Sequence, residues 1–293
     1  MNVRELIEAS AAQLEAAGLT FENGFGQGTT NAFDEAAWLV MWRLGLPLDD
    51  LDSVSNRPVA QTELAEVATL LGARISTRKP AAYLTKEAWL MGVPFYVDER
   101  VIIPRSFIAE LLVDESIDPW LSEDTKRVLD LCTGNGSLAV LAAMTYPDVV
   151  VDAADISLDA LAVARINVDK HGLADRITLI ESDGLAACRG SYDLILCNPP
   201  YVNAASMAAL PAEFKAEPAL ALGGGADGMD FIRRLFLTVA AQMNENAVLV
   251  LEIGNEGENF KLAFPRVEPL WFETSAGPDQ VMLLTREQLA NRF

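Results

Sequence analysis

Short apolar runs alternate with helical patterns from Lys126 to the end of this 293-residue chain. The runs have the length and the side-chain types of buried β-strands. Alternation of this kind favours an α/β fold, with right-handed βαβ units, a mostly parallel sheet and helices on both faces. Because the last two strands lack a convincing helix between them, we expect an antiparallel hairpin at one edge. The predicted strands are 128–132, 149–154, 177–181, 192–197, 247–253, 267–272 and 281–285, and the main predicted helices are 137–145, 158–171 and 230–243.

The first 86 residues are different, because helical periodicity dominates there and carries no catalytic chemistry of its own. From Trp89 to Pro104 the pattern changes to alternation, with β-branched and aromatic residues on both sides of Asp98-Glu99-Arg100. This predicts a β-hairpin that breaks at those charged residues. We therefore predict a helical domain at 1–86, a β-hairpin linker at 87–106 and a larger α/β domain at 107–293.

The charge balance restricts the classes of partner. Lys and Arg total 22 against 42 Asp and Glu, which gives a formal net charge of −20. A surface this acidic repels phosphate backbones at long range and attracts basic partners. We therefore expect no direct DNA binding.

Cysteine usage and hydropathy indicate the cellular compartment. The cysteines Cys132, Cys188 and Cys197 are odd in number and form no Cys-x-x-Cys pair, which argues against a disulfide framework and a zinc site. No apolar run approaches the roughly 18 residues that span a bilayer. The sequence predicts a cytoplasmic protein without a metal centre or a membrane segment, and it leaves the oligomeric state open.

A glycine turn follows the first strand of the larger domain, in Asp130-Leu131-Cys132-Thr133-Gly134-Asn135-Gly136-Ser137. Glycines between a strand and a helix allow the backbone to approach a ligand closely. Asp155 ends the next strand, 19 residues after Gly136, where a carboxylate can accept hydrogen bonds from two ribose hydroxyls. The alternative is a plain tight turn with Asp155 as a helix cap, but the joint spacing favours an adenosine ligand.

The third glycine of a dinucleotide fingerprint is absent, since Ala139 stands three residues after Gly136. A ligand without phosphates, such as S-adenosylmethionine, fits this shortened pattern better. Asp183 ends the third strand, directly before Gly184, where an adenine edge would lie. Its carboxylate can accept a hydrogen bond from an exocyclic amine; the alternative is a turn residue.

The tetrapeptide Asn198-Pro199-Pro200-Tyr201 directly follows the apolar strand 192–197. Two consecutive prolines fix φ and remove neighbouring N–H donors, so the turn is rigid and rich in acceptors. At the carboxyl end of a central strand it faces the crevice in which α/β folds bind ligands. The side-chain oxygen of Asn198 and the carbonyl of Pro199 can each accept one hydrogen of a planar NH₂ group, on which Tyr201 can stack.

Such a site recognises an amide or an aromatic exocyclic amine, whose lone pair is delocalised. Two acceptors on the N–H bonds orient that lone pair toward an electrophile and stabilise the positive charge that develops on nitrogen. The electrophile would be a sulfonium methyl group. No general base is needed before the attack, which agrees with the presence of a single histidine, His171.

Together these motifs resemble class I S-adenosylmethionine-dependent methyltransferases, specifically the protein-(glutamine-N5) methyltransferase family. The tetrapeptide alone is shared with DNA adenine methyltransferases, whereas its combination with the hairpin and a Pro-Arg pair is specific to the protein-modifying group. The resemblance implies a Rossmann-like seven-stranded sheet. It covers nearly the whole chain and is carried by the helical region, the hairpin, Ile103-Pro104-Arg105, Asp130 to Gly136, Asp155, Asn198 to Tyr201, Glu217-Pro218 and Asp227-Gly228.

Within this family the chain is similar to the branch that modifies a large-subunit ribosomal protein, protein three. The release-factor branch typically has Pro-Asp-Thr-Glu after its Pro-Arg, a glycine where Cys132 stands, and an aromatic residue where Gly184 stands. The similarity to the ribosomal branch lies in Phe95 to Ser106, Asp130 to Gly134, Tyr201 to Ala204 and Glu252 to Asn255.

The resemblance implies methylation of a glutamine side-chain nitrogen in this basic ribosomal protein, with S-adenosyl-L-methionine as cofactor and S-adenosyl-L-homocysteine as product. The N-terminal helices and the hairpin would hold the protein substrate over the pocket. Asn198 and Pro199 would bind the glutamine amide, and Asp130 would support the ammonium end of the cofactor. The implied catalytic set is Asn198, Pro199, Pro200 and Tyr201; the implied cofactor set is Asp130, Thr133, Gly134, Asn135, Gly136, Asp155, Ile156, Asp183, Gly184 and Asn198.

The sequence is also compatible with other functions. The same chemistry could act on release factors, or on a flipped adenine base in nucleic acid. The latter requires a basic surface, but residues 1–100 hold 8 basic and 14 acidic side chains, a balance of 8 − 14 = −6. A catalytically silent binding protein would show decay of the tetrapeptide, and residues 198–201 are intact.

Overall fold

Two compact units make up the part of the chain that the computed structural model describes, residues 1–21 and 23–290. Unit 1 gathers three separate stretches, Met1–Ala88, Val97–Glu99 and Leu210–Glu217. Unit 2 consists of Trp89–Tyr96, Arg100–Ala209 and the residues from Pro218 onward. The predicted domain at 107–293 ends in residues 291–293, which lie outside the described residues.

Unit 1 is helical, and its helices pack around one apolar core in which Ile7, Leu39 and Leu71 are almost fully buried. Its first helix begins with a capping box, since Asn2 accepts the N–H of Glu5 at 2.8 Å and Glu5 accepts the N–H of Asn2 at 3.0 Å. The helices are α1 (Val3–Ala16), α2 (Ala32–Arg43), α3 (Leu51–Val54), α4 (Gln61–Thr77) and α5 (Ala81–Thr85).

A buried ionic cluster joins the segment 210–217 to the helices of unit 1. Arg74 in α4 is fully buried and bonds Glu35 at 2.8 Å and Glu213 at 3.1 Å. Its remaining nitrogen donates to the carbonyl oxygen of Gly24 at 2.6 Å. Arg78 also pairs with Glu213, at 2.6 Å. Two arginines thus balance two glutamates, so the cluster is compatible with burial and fixes the position of Glu213.

The hairpin turns earlier than predicted. Its strands are β1 (Glu87–Leu90) and β2 (Val93–Tyr96). The two residues between them, Met91 and Gly92, have φ of 49° and 77°, as a tight two-residue hairpin turn requires. The predicted break at 98–100 was wrong, because the alternation in residues 97–104 reflects burial of apolar side chains and not strand pairing.

Unit 2 contains a seven-stranded sheet with helices around it. The strands are β3 (Arg127–Leu131), β4 (Val150–Asp155), β5 (Ile177–Glu181), β6 (Tyr192–Cys197), β7 (Met243–Glu252), β8 (Leu270–Thr274) and β9 (Gly277–Thr285). The helices are α6 (Ile108–Val113), α7 (Ser137–Thr145), α8 (Leu158–Lys170), α9 (Ala204–Ala209), α10 (Asp230–Phe236), α11 (Gly257–Ala263) and α12 (Arg286–Ala290).

The strand order is β5-β4-β3-β6-β7-β9-β8. Strands β3 to β7 pair in parallel, whereas β9 pairs antiparallel with both β7 and β8. The predicted α/β fold with a mostly parallel sheet and an antiparallel edge is therefore confirmed. The order reverses between β3 and β6, which opens a crevice at the carboxyl ends of these two strands.

Successive side chains of the central strands enter opposite layers of the core. In β3, Val128 belongs to one apolar cluster and Leu129 to the other, and Leu194 and Ile195 in β6 divide in the same way. Burial on both faces explains why these strands are continuous apolar runs in the sequence.

The predicted helix at 230–243 is shorter in the structure. Helix α10 ends at Phe236, a 3₁₀ turn covers Val239–Gln242, and Met243 begins β7, where it pairs with Tyr192. Strand pairing at Met243 overrides the helical periodicity. None of the helices within residues 1–21 and 23–290 is both long and apolar enough to cross a membrane.

Candidate active site

A cavity opens at the carboxyl ends of β3, β4, β5 and β6. It receives residues from the turn after each of these strands, so the parallel sheet brings together positions that are distant in sequence. The predicted site residues on its wall are Gly134, Asp155, Ile156, Asp183, Gly184, Asn198 and Pro200. Among the described residues, those predicted for the site but not lining this cavity are Asp130, Thr133, Asn135, Gly136, Pro199 and Tyr201.

The turn after β3 adopts left-handed backbone conformations at alternate residues, with φ of 64° at Cys132, 55° at Gly134 and 81° at Gly136. A Cβ on Gly136 would approach the Cβ of Ala164 in α8 to 3.1 Å. This glycine therefore permits close helix packing. A Cβ on Gly134 would meet no atom of the described chain within 4 Å, so this glycine leaves room on the side of the cavity.

Asp130 is fully buried beneath the glycine turn. Its Oδ2 accepts hydrogen bonds from the hydroxyl of Thr133 and from the N–H of Ala139, the latter at 3.0 Å. Its Oδ1 is buried and has no hydrogen-bond partner among the described residues. Burial outweighs the two hydrogen bonds and raises the pKa of Asp130 to about 7. An ammonium group of a ligand fits this orphaned acceptor chemically, because it would satisfy Oδ1 and favour the ionised form.

Asp155 has both carboxylate oxygens oriented by backbone donors. Oδ2 accepts the N–H of Gly134 at 2.9 Å and Oδ1 accepts the N–H of Ser157 at 2.9 Å. Ser157, not Asp155, caps α8, since its hydroxyl accepts the N–H of Ala160. Each oxygen keeps acceptor capacity on the cavity wall, which suits a pair of ligand hydroxyls.

Asp183 lies at the rim of the cavity, where it forms an exposed ion pair with Arg234 of α10 at 3.3 Å. The pair brings a helix that the sequence did not assign to the site into contact with the turn after β5. Gly184 follows with φ of 56° and lines the same wall.

Asn198 and Pro200 line the cavity directly after β6, and Pro199 between them is buried. Register places the end of β6 beside the end of β3, since Cys197 pairs with Leu131. The acceptor-rich turn and the glycine turn therefore start from adjacent strand ends.

Tyr201 is held by one hydrogen bond and by close contacts with three glycines. Its hydroxyl donates to Oε1 of Glu252 at 3.0 Å, and its ring lies so close to Gly254 that a Cβ there would come within 2.6 Å of it. Side chains at Gly224 and Gly228 would collide with the backbone of Tyr201 at 2.7 and 2.2 Å. Close packing on Tyr201 thus explains the glycines at positions 224, 228 and 254.

Glu252 begins one of the segments that resemble the ribosomal branch, but the sequence assigned it no role at the site. It ends β7, is buried, and accepts hydrogen bonds from Tyr201, from the Ser106 hydroxyl at 2.6 Å and from the Phe107 N–H at 2.9 Å. Burial raises its pKa. A lone carboxylate at the end of a long apolar strand was the signal available in the sequence.

Asn167 in α8 is a second residue that the sequence did not reveal. It is fully buried, accepts the N–H of Tyr96 at 2.7 Å and donates to the carbonyl of Tyr96 at 3.0 Å. It also donates to the carbonyl of Asn135 at 2.8 Å. One amide therefore joins the hairpin strand β2 to the glycine turn.

Comparison with known proteins agrees with this geometry. Residues 109–226 match the family model of the methyltransferase small domain. Among solved structures, the catalytic domain of hMettl16 in complex with MAT2A 3′UTR hairpin 6 superposes with a TM-score of 0.50 at 14% identity, covering 77% of this chain and 82% of that one. At that identity the likeness shows the fold alone.

Curated relatives are similar over almost their whole length. The ribosomal protein uL3 glutamine methyltransferase of Bordetella pertussis is 50% identical over 290 residues, which cover 98% of this chain and 96% of the relative. The enzyme of that name from Neisseria meningitidis serogroup A is 48% identical, covering 98% and 94%. The chain belongs to the ribosomal protein uL3 glutamine methyltransferase family.

Proposed function

We propose that this enzyme transfers the methyl group of S-adenosyl-L-methionine to the side-chain amide nitrogen of a glutamine in ribosomal protein uL3, with S-adenosyl-L-homocysteine as the product. One observation carries the proposal: Asn198 and Pro200 line the same cavity as Gly134 and Asp155. A turn suited to a planar amide and a turn suited to an adenosine ligand thus face a single space. The names of the relatives support uL3 as the substrate.

The cofactor assignment follows the chemistry of the donors and acceptors. We assign Asp155 to the ribose hydroxyls, Gly134 and the neighbouring backbone of Thr133, Asn135 and Gly136 to the methionine part, and Asp130 to its ammonium group. Ile156, Asp183 and Gly184 are assigned to the adenine end. Bound there, the cofactor supplies an electrophilic methyl group on a sulfonium centre.

The amide of the glutamine is assigned to the turn after β6. Asn198 Oδ1 and the Pro199 carbonyl accept the two amide hydrogens, which fixes the plane of the amide and presents the nitrogen lone pair, perpendicular to that plane, to the cavity. The same acceptors stabilise positive charge on nitrogen as the new bond forms. The proton leaves afterwards, so no base is required for the attack. Pro200 keeps the turn rigid, and Tyr201 flanks the amide slot.

The helical domain and the hairpin are assigned to recognition of the protein substrate. The chain carries a net charge of −20, and a basic ribosomal protein is the partner that such a charge attracts. We expect the KM for uL3 to rise with salt while the KM for the cofactor stays nearly constant. A KM for uL3 that does not change with salt would contradict the proposal that the acidic surface attracts the substrate.

The deciding experiment incubates the enzyme with methyl-labelled S-adenosylmethionine and either purified uL3 or a peptide-chain release factor. We expect label on a glutamine of uL3, located by mass spectrometry, and background on the release factor. The Asn198→Ala variant sets the background for both substrates. Label on the release factor alone would overturn the substrate assignment, and label on adenine in added nucleic acid would overturn the reaction class.

A further inference from the structure

The wall of the cavity after β5 presents no side chain at Gly184. This glycine has φ of 56°, and a Cβ on it would meet no atom of the described chain within 4 Å. An aromatic contact for a flat ligand next to Gly184 would therefore have to come from another element.

Phe231 in α10 stands beside this gap. It lines the main cavity and also an adjoining one, and both cavities share Asp183, Gly184 and Arg234 as lining residues. Phe231 is 9% exposed and is anchored in the apolar cluster of unit 2 that includes Leu251 and Ile253. Its ring is thus fixed in the core while part of it borders open space.

Arg234 connects Phe231 to the turn after β5. Its guanidinium lies 5.7 Å from the centroid of the Phe231 ring and 3.3 Å from the carboxylate of Asp183. The contact with the ring has the geometry of a cation–π interaction. Arg234 therefore contacts both the ring of Phe231 and the carboxylate of Asp183.

Two further apolar side chains on the cavity wall are exposed, Ile156 to 50% and Leu220 to 61%. Exposed apolar groups that converge on a cavity mark the site of an apolar ligand surface. Phe231 lines the same cavity, and the carboxylate of Asp183 lies at its rim. A ring with apolar faces and an amine at its edge, such as an aminopurine, suits this lining chemically.

We propose that Phe231 supplies the aromatic contact for the adenine ring of the cofactor, and that Arg234 is a positioning residue that holds Phe231 and Asp183 for it. This inference rests on the proposed function, because it takes the ligand to be an adenosine derivative. The aromatic contact to adenine then comes from α10 and not from the turn after β5.

The test measures binding of S-adenosylhomocysteine by calorimetry, without turnover. Loss of a base–aromatic contact weakens binding by about tenfold or more, so we expect that loss in Phe231→Leu and nearly full affinity in Phe231→Tyr. Phe236→Leu is the matched control, since it removes a ring from the same helix that packs in the core against Phe260 and Phe264. We expect Phe236→Leu to lower the unfolding temperature and leave the affinity unchanged.

A second ligand separates the adenine end from the amino-acid end. 5′-Methylthioadenosine keeps the adenine and lacks the amino acid, so Phe231→Leu should weaken it by the same factor as S-adenosylhomocysteine. Arg234→Gln is the second variant, in case Phe231→Leu does not fold, because its side chain is 65% exposed. We expect it to bind both ligands about threefold more weakly, which is the scale of a partly exposed cation–π contact.

Wild-type affinity for both ligands in Phe231→Leu, or in Arg234→Gln where Phe231→Leu does not fold, would overturn this inference and leave the proposed function intact. Loss for S-adenosylhomocysteine alone would overturn it as well, because Phe231 would then act on the amino-acid end. Failure of the wild-type enzyme to bind S-adenosylhomocysteine would overturn the proposed function itself, and the inference with it.

Discussion

The hydroxyl of Tyr201 donates to Oε1 of Glu252 at 3.0 Å, where β7 ends. Oε2 of the same carboxylate accepts from Ser106 and Phe107, so one buried group ties the end of the Asn-Pro-Pro-Tyr turn to the start of α6. Burial raises the pKa of Glu252, and its hydrogen bonds oppose that rise. Residues that are remote in sequence therefore support the turn that faces the cavity, in addition to its own prolines.

Gly254→Ala tests whether the position of Tyr201 matters for turnover. A Cβ at residue 254 would come within 2.6 Å of the Tyr201 ring, so the ring must move. We expect at least a tenfold lower kcat with nearly unchanged affinity for S-adenosylhomocysteine, because a small misplacement of a substrate-flanking group impairs alignment. Gly172→Ala is the control, since Gly172 has a similar φ of 67° and open space around it. Equal activities of the two variants would contradict the assignment.

Asn198→Ala removes one of the two proposed acceptors for the glutamine amide. We expect turnover to fall by about a hundredfold or more, the scale seen when one preorganised polar contact to a transition state is lost. Affinity for S-adenosylhomocysteine, measured by calorimetry, should persist. Asn244→Ala, at an exposed asparagine in β7, is the control for turnover. If Asn198→Ala loses affinity for the cofactor instead, Asn198 belongs to the cofactor site.

Asn167→Asp tests the amide that joins the hairpin to the glycine turn. The substitution keeps the acceptor for the Tyr96 N–H but removes both donations, to Tyr96 and Asn135. We expect the free energy of unfolding to fall by about 2 kcal/mol, because buried carbonyls lose their donor and face a carboxylate. Urea unfolding measures this, with Asn246→Asp, at an exposed asparagine of β7, as the control. Cofactor affinity should also fall, since Asn135 lies in the glycine turn.

The pH dependence of cofactor binding follows from Asp130. Its pKa of about 7 in the free protein means that the carboxyl is mostly protonated at pH 6 and mostly ionised at pH 8. A cofactor ammonium favours the ionised form, so binding at pH 6 must release a proton. We expect S-adenosylhomocysteine to bind about tenfold more weakly at pH 6 than at pH 8, with proton release seen in calorimetry in buffers of different ionisation enthalpy.

Asp130→Asn supplies the control for this pH dependence. The variant lacks the titrating group, so its affinity should be weaker at pH 8 and nearly constant between pH 6 and 8. The raised pKa also determines how stability depends on pH. Between the ordinary value of 3.8 and about 7 the folded protein binds this proton and the unfolded chain does not, so the free energy of unfolding falls as pH rises through this range. A pH profile of binding that is the same in Asp130→Asn and wild type would refute the role.

Much of the fold was predictable because local signals agreed with the tertiary structure. Helix 137–145 and strands 177–181 and 192–197 have the predicted bounds, since their periodicity matches the faces that are buried. The predicted position of the hairpin turn was wrong, because the alternation in residues 97–104 looks the same whether a segment pairs with another strand or is only buried. The predicted end of α10 was wrong, because the pairing of Met243 with Tyr192 is a long-range contact that local periodicity does not show.

The sequence by itself determined the order of strands and helices, the glycine turn, and the Asn-Pro-Pro-Tyr turn, since these depend on periodicity and on backbone restrictions that a few neighbouring residues impose. Only the tertiary structure decided which residues support them. Glu252 beneath Tyr201, Asn167 between the hairpin and the glycine turn, and Phe231 beside Gly184 all act across long sequence separations. Such contacts depend on strand order and packing distance, and no local pattern encodes either.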